Sequence, residues 1–337
     1  MKRFFLILYF LLSACELPKL PPVEEIETVI GWERQKSGVD TSLGGLFFLN
    51  AQVGWSSGNR GIVLHTEDGG QHWSLQKTPT DRLLVAIQFV DAKTGWAVGD
   101  KGVIIQTIDG GKTWTLQKTE HKKDLTHLFF IDSKRGFVTG AKGAFLVTED
   151  GGEHWKATSL GFNGTLTSVF FITSDIGWLT ADGGTIFYTN DGGDHFVRQD
   201  TGTPRDLHRL FFVNPKTGWA IGAYGTIIAT GDGGAHWSSQ TSGVPIFFAG
   251  AFFINDQIGW VVGAAGTVLH TKDGGIHWVQ QPSGTVEFLI NPFFISPDIG
   301  WIAGTKGIIL HTQIGGAPPE TKGAEGTRLL HKSLAVK

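Results

Sequence analysis

A 41-residue repeat is the feature that most limits what this sequence can fold into. The pair Gly-Trp recurs in this phase, with Gly136-Phe137 in one copy, and so does the triplet Asp-Gly-Gly, with Ile314-Gly315-Gly316 as a degenerate seventh copy. Phenylalanine recurs in the same phase without any insertion, at Phe48, Phe89, Phe130, Phe171, Phe212, Phe253 and Phe294. Three unrelated motifs in phase over seven copies indicate tandem structural units rather than chance similarity.

Each repeat has the pattern of four short β-strands separated by turns rich in Gly, Asp and Lys. The composition agrees, because 48 Gly, 24 Phe and 12 Trp in 337 residues favour many short strands and tight turns. Four strands in about 40 residues form one β-propeller blade, and seven blades lie within the usual range. The sequence therefore predicts an all-β, seven-bladed propeller over residues 30–316, with four antiparallel strands in each blade.

The ends of the repeat array predict how the ring closes. The fourth strand carries Trp at 73, 114, 155, 237 and 278 and Phe at 196. One period beyond the last copy is Pro319, which fits poorly into a strand ladder, whereas one period before the first copy is Trp32. The segment Gly31–Gln35 also resembles His72–Gln76. We therefore expect residues 30–36 to form the fourth strand of the seventh blade, which leaves no open edge between the first and last blades.

Six copies of a sialidase-type Asp-box (BNR) motif have a structural role in this interpretation. Residues 66–73 form the first, in which the Asp carboxylate can accept backbone N–H groups within a hairpin while the glycines adopt positive φ. We expect these hairpins at the rim, away from the ligand face, and we expect their Asp residues to be structural: Asp68, Asp109, Asp150, Asp191, Asp232 and Asp273.

The combined pattern, Gly-Trp-x-x-Gly followed by Thr-x-Asp-Gly-Gly-x-x-Trp, resembles the photosystem II stability and assembly factor family of plants and cyanobacteria. The resemblance extends over about residues 30–316. It implies a non-enzymatic scaffold, lipid-anchored in cyanobacteria, that binds newly made membrane-protein subunits through an arginine-rich face. The present chain has lysines and few arginines in the corresponding loops, so the family's individual binding residues are not carried over.

The N-terminal segment has the features of an exported lipoprotein. Lys2 and Arg3 precede the apolar stretch 4–12, which is too short to span a bilayer but fits a signal peptide. Residues 12–15 resemble a bacterial lipobox that ends at Cys15, the single cysteine of the chain. We predict a signal peptide over 1–14, a lipid-anchored linker over 15–29 and a flexible tail over 317–337. The predicted location is a membrane surface on the periplasmic, lumenal or outer side.

An enzymatic function is the alternative, as a sialidase-like Asp-box glycosidase or a carbohydrate-binding propeller. Apart from Tyr9 in the predicted signal peptide, the chain offers only Tyr188 and Tyr224 as a sialidase-type nucleophile. Nothing marks Asp100, Asp182 or Glu287 as a catalytic carboxylate pair, and all twelve tryptophans belong to the repeat. The histidines share repeat positions rather than clustering, so we predict no catalytic residue, no metal and no cofactor.

The candidate binding face is formed by the loops between second and third strands and between blades. Matched loop positions carry Arg60, Lys101, Lys142, Lys306 and Tyr224, and inter-blade loops add Arg82, Lys123 and Arg205. His127 and Arg209, at the start of inner strands, are expected near the channel mouth. These residues predict a basic sector that binds membrane or envelope proteins, against the alternative that they only solubilise turns. The net charge of −3 argues against nucleic acid, and we expect a monomer.

Overall fold

The computed structural model describes residues 31–317, which form seven four-stranded antiparallel sheets, the blades of a β-propeller. The predicted fold class is therefore confirmed. The predicted signal peptide, Cys15, the linker up to residue 29 and all but the first residue of the predicted tail lie outside the described residues. Within residues 31–317 there is no helix with the length and apolarity needed to cross a membrane.

Blades 1 to 7 follow each other along the chain, and the strands of each run from the central channel outward. The innermost strands are β2 (Leu43–Phe48), β6 (Leu84–Phe89), β10 (Leu125–Phe130), β14 (Leu166–Phe171), β18 (Leu207–Phe212), β22 (Phe248–Phe253) and β26 (Leu289–Phe294). The second strands are β3 (Gly54–Gly58), β7 (Gly95–Gly99), β11 (Gly136–Gly140), β15 (Gly177–Ala181), β19 (Gly218–Gly222), β23 (Gly259–Gly263) and β27 (Gly300–Gly304).

The third strands are β4 (Val63–Thr66), β8 (Ile104–Thr107), β12 (Ala144–Thr148), β16 (Thr185–Thr189), β20 (Ile227–Thr230), β24 (Val268–Thr271) and β28 (Ile309–Gly316). The outermost strands are β5 (Ser74–Gln76), β9 (Thr115–Leu116), β13 (Lys156–Ala157), β17 (Val197–Gln199), β21 (Ser238–Gln240), β25 (Val279–Gln281) and, in blade 7, β1 (Gly31–Gln35).

The ring closes as predicted, because β1 is the outermost strand of blade 7. It pairs antiparallel with β28, with Gly31 opposite Gly316 and Gln35 opposite Ile309. Trp32 is 4% exposed and packs edge-on against Phe294, with ring centroids 6.0 Å apart. Blade 7 is thus assembled from both ends of the described chain, and no blade is left with a missing strand.

An aromatic sandwich between neighbouring blades explains why the repeat needs Gly-Trp and Phe in fixed phase. Trp55 of blade 1 stacks face-on with Phe89 of blade 2 at 3.7 Å between ring centroids, and Trp301 of blade 7 stacks on Phe48 at 3.7 Å. Phe48 also covers Gly54 so closely that a Cβ there would lie 2.4 Å from the phenylalanine ring. The glycine is therefore required because the phenylalanine of its own blade occupies the side-chain position.

The Asp-box hairpin is held by its own side chains and by the preceding blade. The Thr66 hydroxyl donates to Asp68 at 2.8 Å and accepts the N–H of Gly70 at 2.8 Å, while Asp68 accepts the N–H of His72 at 2.9 Å. Gln35 of the preceding blade donates to the carbonyl of Gly69 at 2.7 Å and accepts the indole N–H of Trp73 at 3.2 Å. Each hairpin of this kind therefore joins two blades, and the predicted structural role of the six Asp residues has a geometric basis.

The junction of blades 3 and 4 departs from this scheme at several positions at once. Phe137 and Phe196 replace the two tryptophans, and Thr158 occupies the position of the bridging glutamine. Arg135 instead donates to the carbonyl of Gly192 at 2.8 Å. One arginine therefore supplies the hydrogen bond that an indole and an amide supply at other junctions.

Candidate functional site

The loops divide into two faces with different charge. The Asp-box face consists of the loops between first and second strands and between third and fourth strands; the inter-blade face consists of the remaining loops. Backbone hydrogen bonds join the loops within each face. On the Asp-box face the N–H of Gly69 donates to the carbonyl of Gln52 at 2.8 Å, and on the inter-blade face the N–H of Gly61 donates to the carbonyl of Arg82 at 2.7 Å. The Asp-box face carries fifteen acidic and six basic residues, whereas the inter-blade face carries nine acidic and eleven basic ones. An acidic partner is therefore favoured only on the inter-blade face.

The predicted residues of the second-to-third loops share one backbone conformation. Arg60, Lys101, Lys142, Tyr224, Ala265 and Lys306 have φ between 50° and 59°, and Gly183 has φ 66°. This left-handed conformation is disfavoured for side chains other than glycine. Arg60, Lys101, Lys142, Tyr224 and Lys306 are all exposed on the inter-blade face. Blade 4 is the one that uses glycine at this position.

The predicted basic residues differ in their surroundings. Lys306 pairs with Glu287 at 2.9 Å, so its charge is already compensated. Arg205 lies over the ring of Tyr224, with the guanidinium carbon 4.4 Å from the ring centroid. Arg82 and Lys101 line one cavity on blade 2, and Lys123 is exposed beside it. Among the candidates the structure thus brings together a blade 2 group, Arg82, Lys101 and Lys123, and a blade 5 group, Arg205 and Tyr224, while Arg60 and Lys142 are exposed at the matching turns of blades 1 and 3.

A carboxylate pair that the sequence did not indicate lies in the blade 2 group. Burial, reinforced by the nearby charge of Asp124, raises the pKa of Asp100. Asp124 accepts the backbone N–H of Lys101 at 2.9 Å. At the equivalent positions of the repeat, Asp206 accepts the backbone N–H of Gly183 at 2.7 Å. Because Asp124 and Asp206 serve the same turn in two blades, their shared role is to hold the left-handed loop.

Arg209 is the third residue of β18 and projects from the inner strand of blade 5, half-buried in the central channel. Burial lowers its pKa to about 10, which leaves the guanidinium charged at neutral pH. It forms no salt bridge with any residue between 31 and 317. A charged group buried without a counter-ion is costly, so this position favours an anionic ligand.

The neighbours of Arg209 are polar and include one hydroxyl without a partner. Burial, and next the charge of Arg209, lower the pKa of His127, whose Nδ1 accepts the N–H of Val169 at 3.3 Å. Ser168, at the same strand position in the blade between them, is fully buried, and its hydroxyl has no hydrogen-bond partner within the described chain. The predicted channel residues His127 and Arg209 therefore belong to one polar wall formed by blades 3 to 5.

Six phenylalanines line the channel towards the Asp-box face, and they were not among the residues predicted from the sequence. They precede the phenylalanines of the inter-blade sandwich, and centroids of adjacent rings lie 5.0–5.3 Å apart: Phe47, Phe129, Phe170, Phe211, Phe252 and Phe293. Gln88 occupies the seventh position and bonds both backbone groups of Phe130, at 2.8 and 3.0 Å. The repeated Phe-Phe doublet is the signal that could have revealed this ring.

The Asp-box histidines form separate pairs rather than a cluster. Nδ1 of His72, His154, His195, His236 and His277 lies 2.6–2.7 Å from the Asp four residues earlier. Only in blade 3 does a further carboxylate, Glu153, come within 4.8 Å of Asp150 and His154, and all three residues are exposed. Exposed acidic groups of this kind are common without a bound ion, so the grouping does not define a metal site.

Fold and site together define an Asp-box propeller with an acidic face, a mixed basic face and a channel that contains a half-buried arginine. Sequence comparison gives the family. The model of the photosynthesis system II assembly factor YCF48 family matches residues 71–129, 117–201 and 245–321. The chain belongs to this family, and the resemblance noted from its motifs is confirmed. No curated protein matches the sequence.

Solved structures agree with the fold. A structure described as YCF48 bound to D1 peptide has a TM-score of 0.73 and 22% identity, over 87% of this chain and 99% of that one. YCF48 from Cyanidioschyzon merolae has a TM-score of 0.72 and 20% identity, over 84% and 98%. A glycoside hydrolase family 74 xyloglucanase from Xanthomonas campestris has a TM-score of 0.71 and 12% identity, over 86% of this chain and 55% of that one.

Proposed function

We propose that this protein is a non-enzymatic scaffold, tethered to a membrane through acylated Cys15, that holds an acidic segment of a membrane-protein subunit on its inter-blade face. The observation that carries the proposal is Arg209, a charged residue in the channel without a counter-ion among residues 31–317. A carboxylate of the partner would supply that charge and form a charge-assisted hydrogen bond. The chain belongs to a family of assembly factors, which supports the same conclusion.

The surroundings of Arg209 suit a peptide better than a small free anion. Tyr224 belongs to blade 5, like Arg209, and Arg205 belongs to the loop that precedes this blade. The Tyr224 side chain is 69% exposed although Arg205 stacks on it. An exposed aromatic ring held in place by a cation is a good contact for a peptide side chain. The related YCF48 structure that contains a D1 peptide makes such a segment a reasonable first ligand to test.

Replacement of Arg209 tests the proposal. A fluorescently labelled D1 peptide is titrated with the mature propeller, and binding is followed by anisotropy at low and high salt. We expect Arg209→Gln to weaken binding about 10- to 100-fold, since a hydrogen bond to a charged group contributes about 1.5–3 kcal/mol. The matched control is Arg198→Gln, which removes the same charge from the exposed outermost strand of blade 4. Equal affinities of the two variants would contradict the proposal.

Membrane attachment is tested separately. Cys15→Ala should release the exported protein from the membrane fraction, and metabolic labelling with a fatty-acid analogue should disappear with it. Two acyl chains are needed for firm attachment. If Cys15→Ala stays in the membrane fraction and labelling persists, the anchor is not at this residue, while the peptide-binding proposal remains open to its own test.

A hydrolase is the second candidate function, and one observation favours it. The raised pKa of Asp100 beside a second carboxylate, Asp124, is the electrostatic arrangement of a general acid. The bond of Asp124 to the Lys101 amide favours the structural role instead. Hydrolysis of xyloglucan or of nitrophenyl glycosides by the wild type, lost in the Asp100→Asn variant, would establish the hydrolase. We expect no hydrolysis by the wild type or by the variant.

A further inference from the structure

A cavity on blade 2, remote from the channel, has the features of a second binding site. It has a volume of about 680 Å³ and lies between the loop that precedes blade 2 and the loop that follows it. This volume is within the range of ligand pockets. Its walls combine three cations, Arg82, Lys101 and Lys122, with the apolar side chains of Val103, Ile104 and Leu116.

One polar atom in the cavity wall lacks a partner. Nε2 of His121 is buried and forms no hydrogen bond with the described residues. The His121 backbone is fixed, since its N–H donates to the Thr119 hydroxyl at 3.0 Å. Burial, followed by the charge of Lys123, lowers the pKa of His121. A buried nitrogen without a partner is unfavourable, and a ligand group in the cavity would satisfy it.

The charge of the cavity selects the ligand. A corresponding cavity of about 610 Å³ lies on blade 6, lined by Ala265, Val286 and neighbouring residues, none of which is charged. The loop architecture is thus shared by two blades, whereas the cations are specific to blade 2. Asp81 also lines the blade 2 cavity, and the nearby Asp100 interacts with Arg82 and Lys101. Three positive charges thus face two negative charges, and the balance favours an anion.

We propose that the blade 2 cavity binds an acidic peptide segment, with a carboxylate near Arg82, Lys101 and Lys122 and an apolar side chain against Val103 and Leu116. A free inorganic anion would use the cations but leave the apolar wall and most of the volume empty. The inference deepens the proposed function and rests on it only in taking the ligand to be part of a protein. It adds a second contact point at the rim of the inter-blade face, independent of Arg209.

The test uses the imidazole signals of the mature protein in NMR spectra, with His121 assigned from a His121→Gln variant. The probe is an acetylated peptide Leu-Glu-Leu-Glu at low salt, and the matched peptide Leu-Gln-Leu-Gln lacks the charges. We expect a saturable shift of the His121 signal with the first peptide alone, accompanied by a rise in the pKa of His121, because a bound carboxylate stabilises the imidazolium. Lys101→Glu should weaken this response by about tenfold or more.

Two variants serve as controls. Lys142→Glu changes the same charge at the same left-handed turn position in blade 3, outside the cavity, and should leave the response intact. Arg209→Gln should also leave it intact, although it disrupts the channel site. The last control separates the two proposals, because we expect loss of D1-peptide binding at Arg209 to leave the His121 response unchanged.

Four results would overturn the inference: no saturable response, an equal response to the uncharged peptide, an equal response to inorganic phosphate at matched ionic strength, or loss of the response in Arg209→Gln. Transfer of the charges is a gain-of-function test. Ala265→Lys combined with Val286→Lys should give the blade 6 cavity measurable affinity for the acidic peptide in a Lys101→Glu background. Unchanged affinity in this variant would count against charge as the selecting feature.

Discussion

Removal of the Trp32 side chain should weaken the whole ring and also release its closing strand. Trp32 is 4% exposed, packs against Phe294 and donates its indole N–H to Gln281 at 3.3 Å. The strand β1, which carries it, pairs with β28 of blade 7, while its chain continues into blade 1. Trp32→Ala therefore removes the main apolar contact of a strand that no hairpin connects to its own blade.

The expected loss can be estimated from the contacts. Replacement of a buried Trp or Phe by Ala costs about 3–5 kcal/mol, and about 1 kcal/mol or more arises from the unpaired side-chain carbonyl of buried Gln281. Each kcal/mol shifts Tm by about 2–4 °C in a domain of roughly this size. The total loss of about 4–6 kcal/mol should therefore lower Tm by about 8–24 °C.

Calorimetry and limited trypsin digestion test this prediction. Arg34 and Lys36 are trypsin sites within and just after β1, and both should become cleavable in Trp32→Ala. Trp114→Ala is the matched control. Trp114 has the same repeat position in blade 2, is 6% exposed and bonds Gln76 at 3.1 Å, but its strand β9 follows β8 through the Asp-box hairpin.

The control should lose similar stability without faster cleavage at Arg34 and Lys36. A Tm within about 2 °C of the wild type, together with unchanged protection of both sites, would refute the assigned role of β1.

Three further changes have predictable effects. Gly183→Ala should lower the free energy of unfolding in urea by about 1 kcal/mol. The loss is backbone strain alone, because no atom lies within 4 Å of the added Cβ. Ala265→Gly at the matching position should not lower the free energy of unfolding. Gln88→Ala should cost about 1–3 kcal/mol by leaving Phe130 backbone groups unpaired. Hydrogen bonds from the His72 backbone and ring lower the pKa of Asp68 to about 2. The contribution of ionised Asp68 to the stability of the fold is therefore complete above about pH 4 and is lost as pH falls towards about 2. Asp68→Asn should remove this part of the loss of stability in acid.

The fold was predictable because the contacts of the repeat allow few residue types at fixed positions. Gly54 is covered by Phe48, and Trp55 stacks on Phe89, so glycine and phenylalanine recur at these positions in every blade and tryptophan in all but blade 3. The exceptional junction of blades 3 and 4 was visible in Phe137 and Phe196. Its compensation by Arg135 was not, since the partner carbonyl of Gly192 is 57 residues away.

The candidate sites were only partly predictable, because the inner strands begin with a β-bulge. The register shifts between Leu125 and His127, and the consecutive side chains of Thr126 and His127 both bond blade 4. A bulge breaks the alternation of strand faces, so alternation cannot show which residues line the channel. The basic loops were located correctly, but the pairing of Lys306 with Glu287 depends on a contact between separate loops.

The direction of β1 also has a mechanical consequence. The strand enters at the Asp-box face, where Gly31 is opposite Gly316, and it ends at the inter-blade face, where Gln35 is opposite Ile309. If the lipid holds the chain before Gly31 while a partner pulls on the inter-blade face, the force runs along the strand. The hydrogen bonds between β1 and β28 are then loaded together in shear rather than opened one after another, which is the direction in which a strand pair resists rupture best.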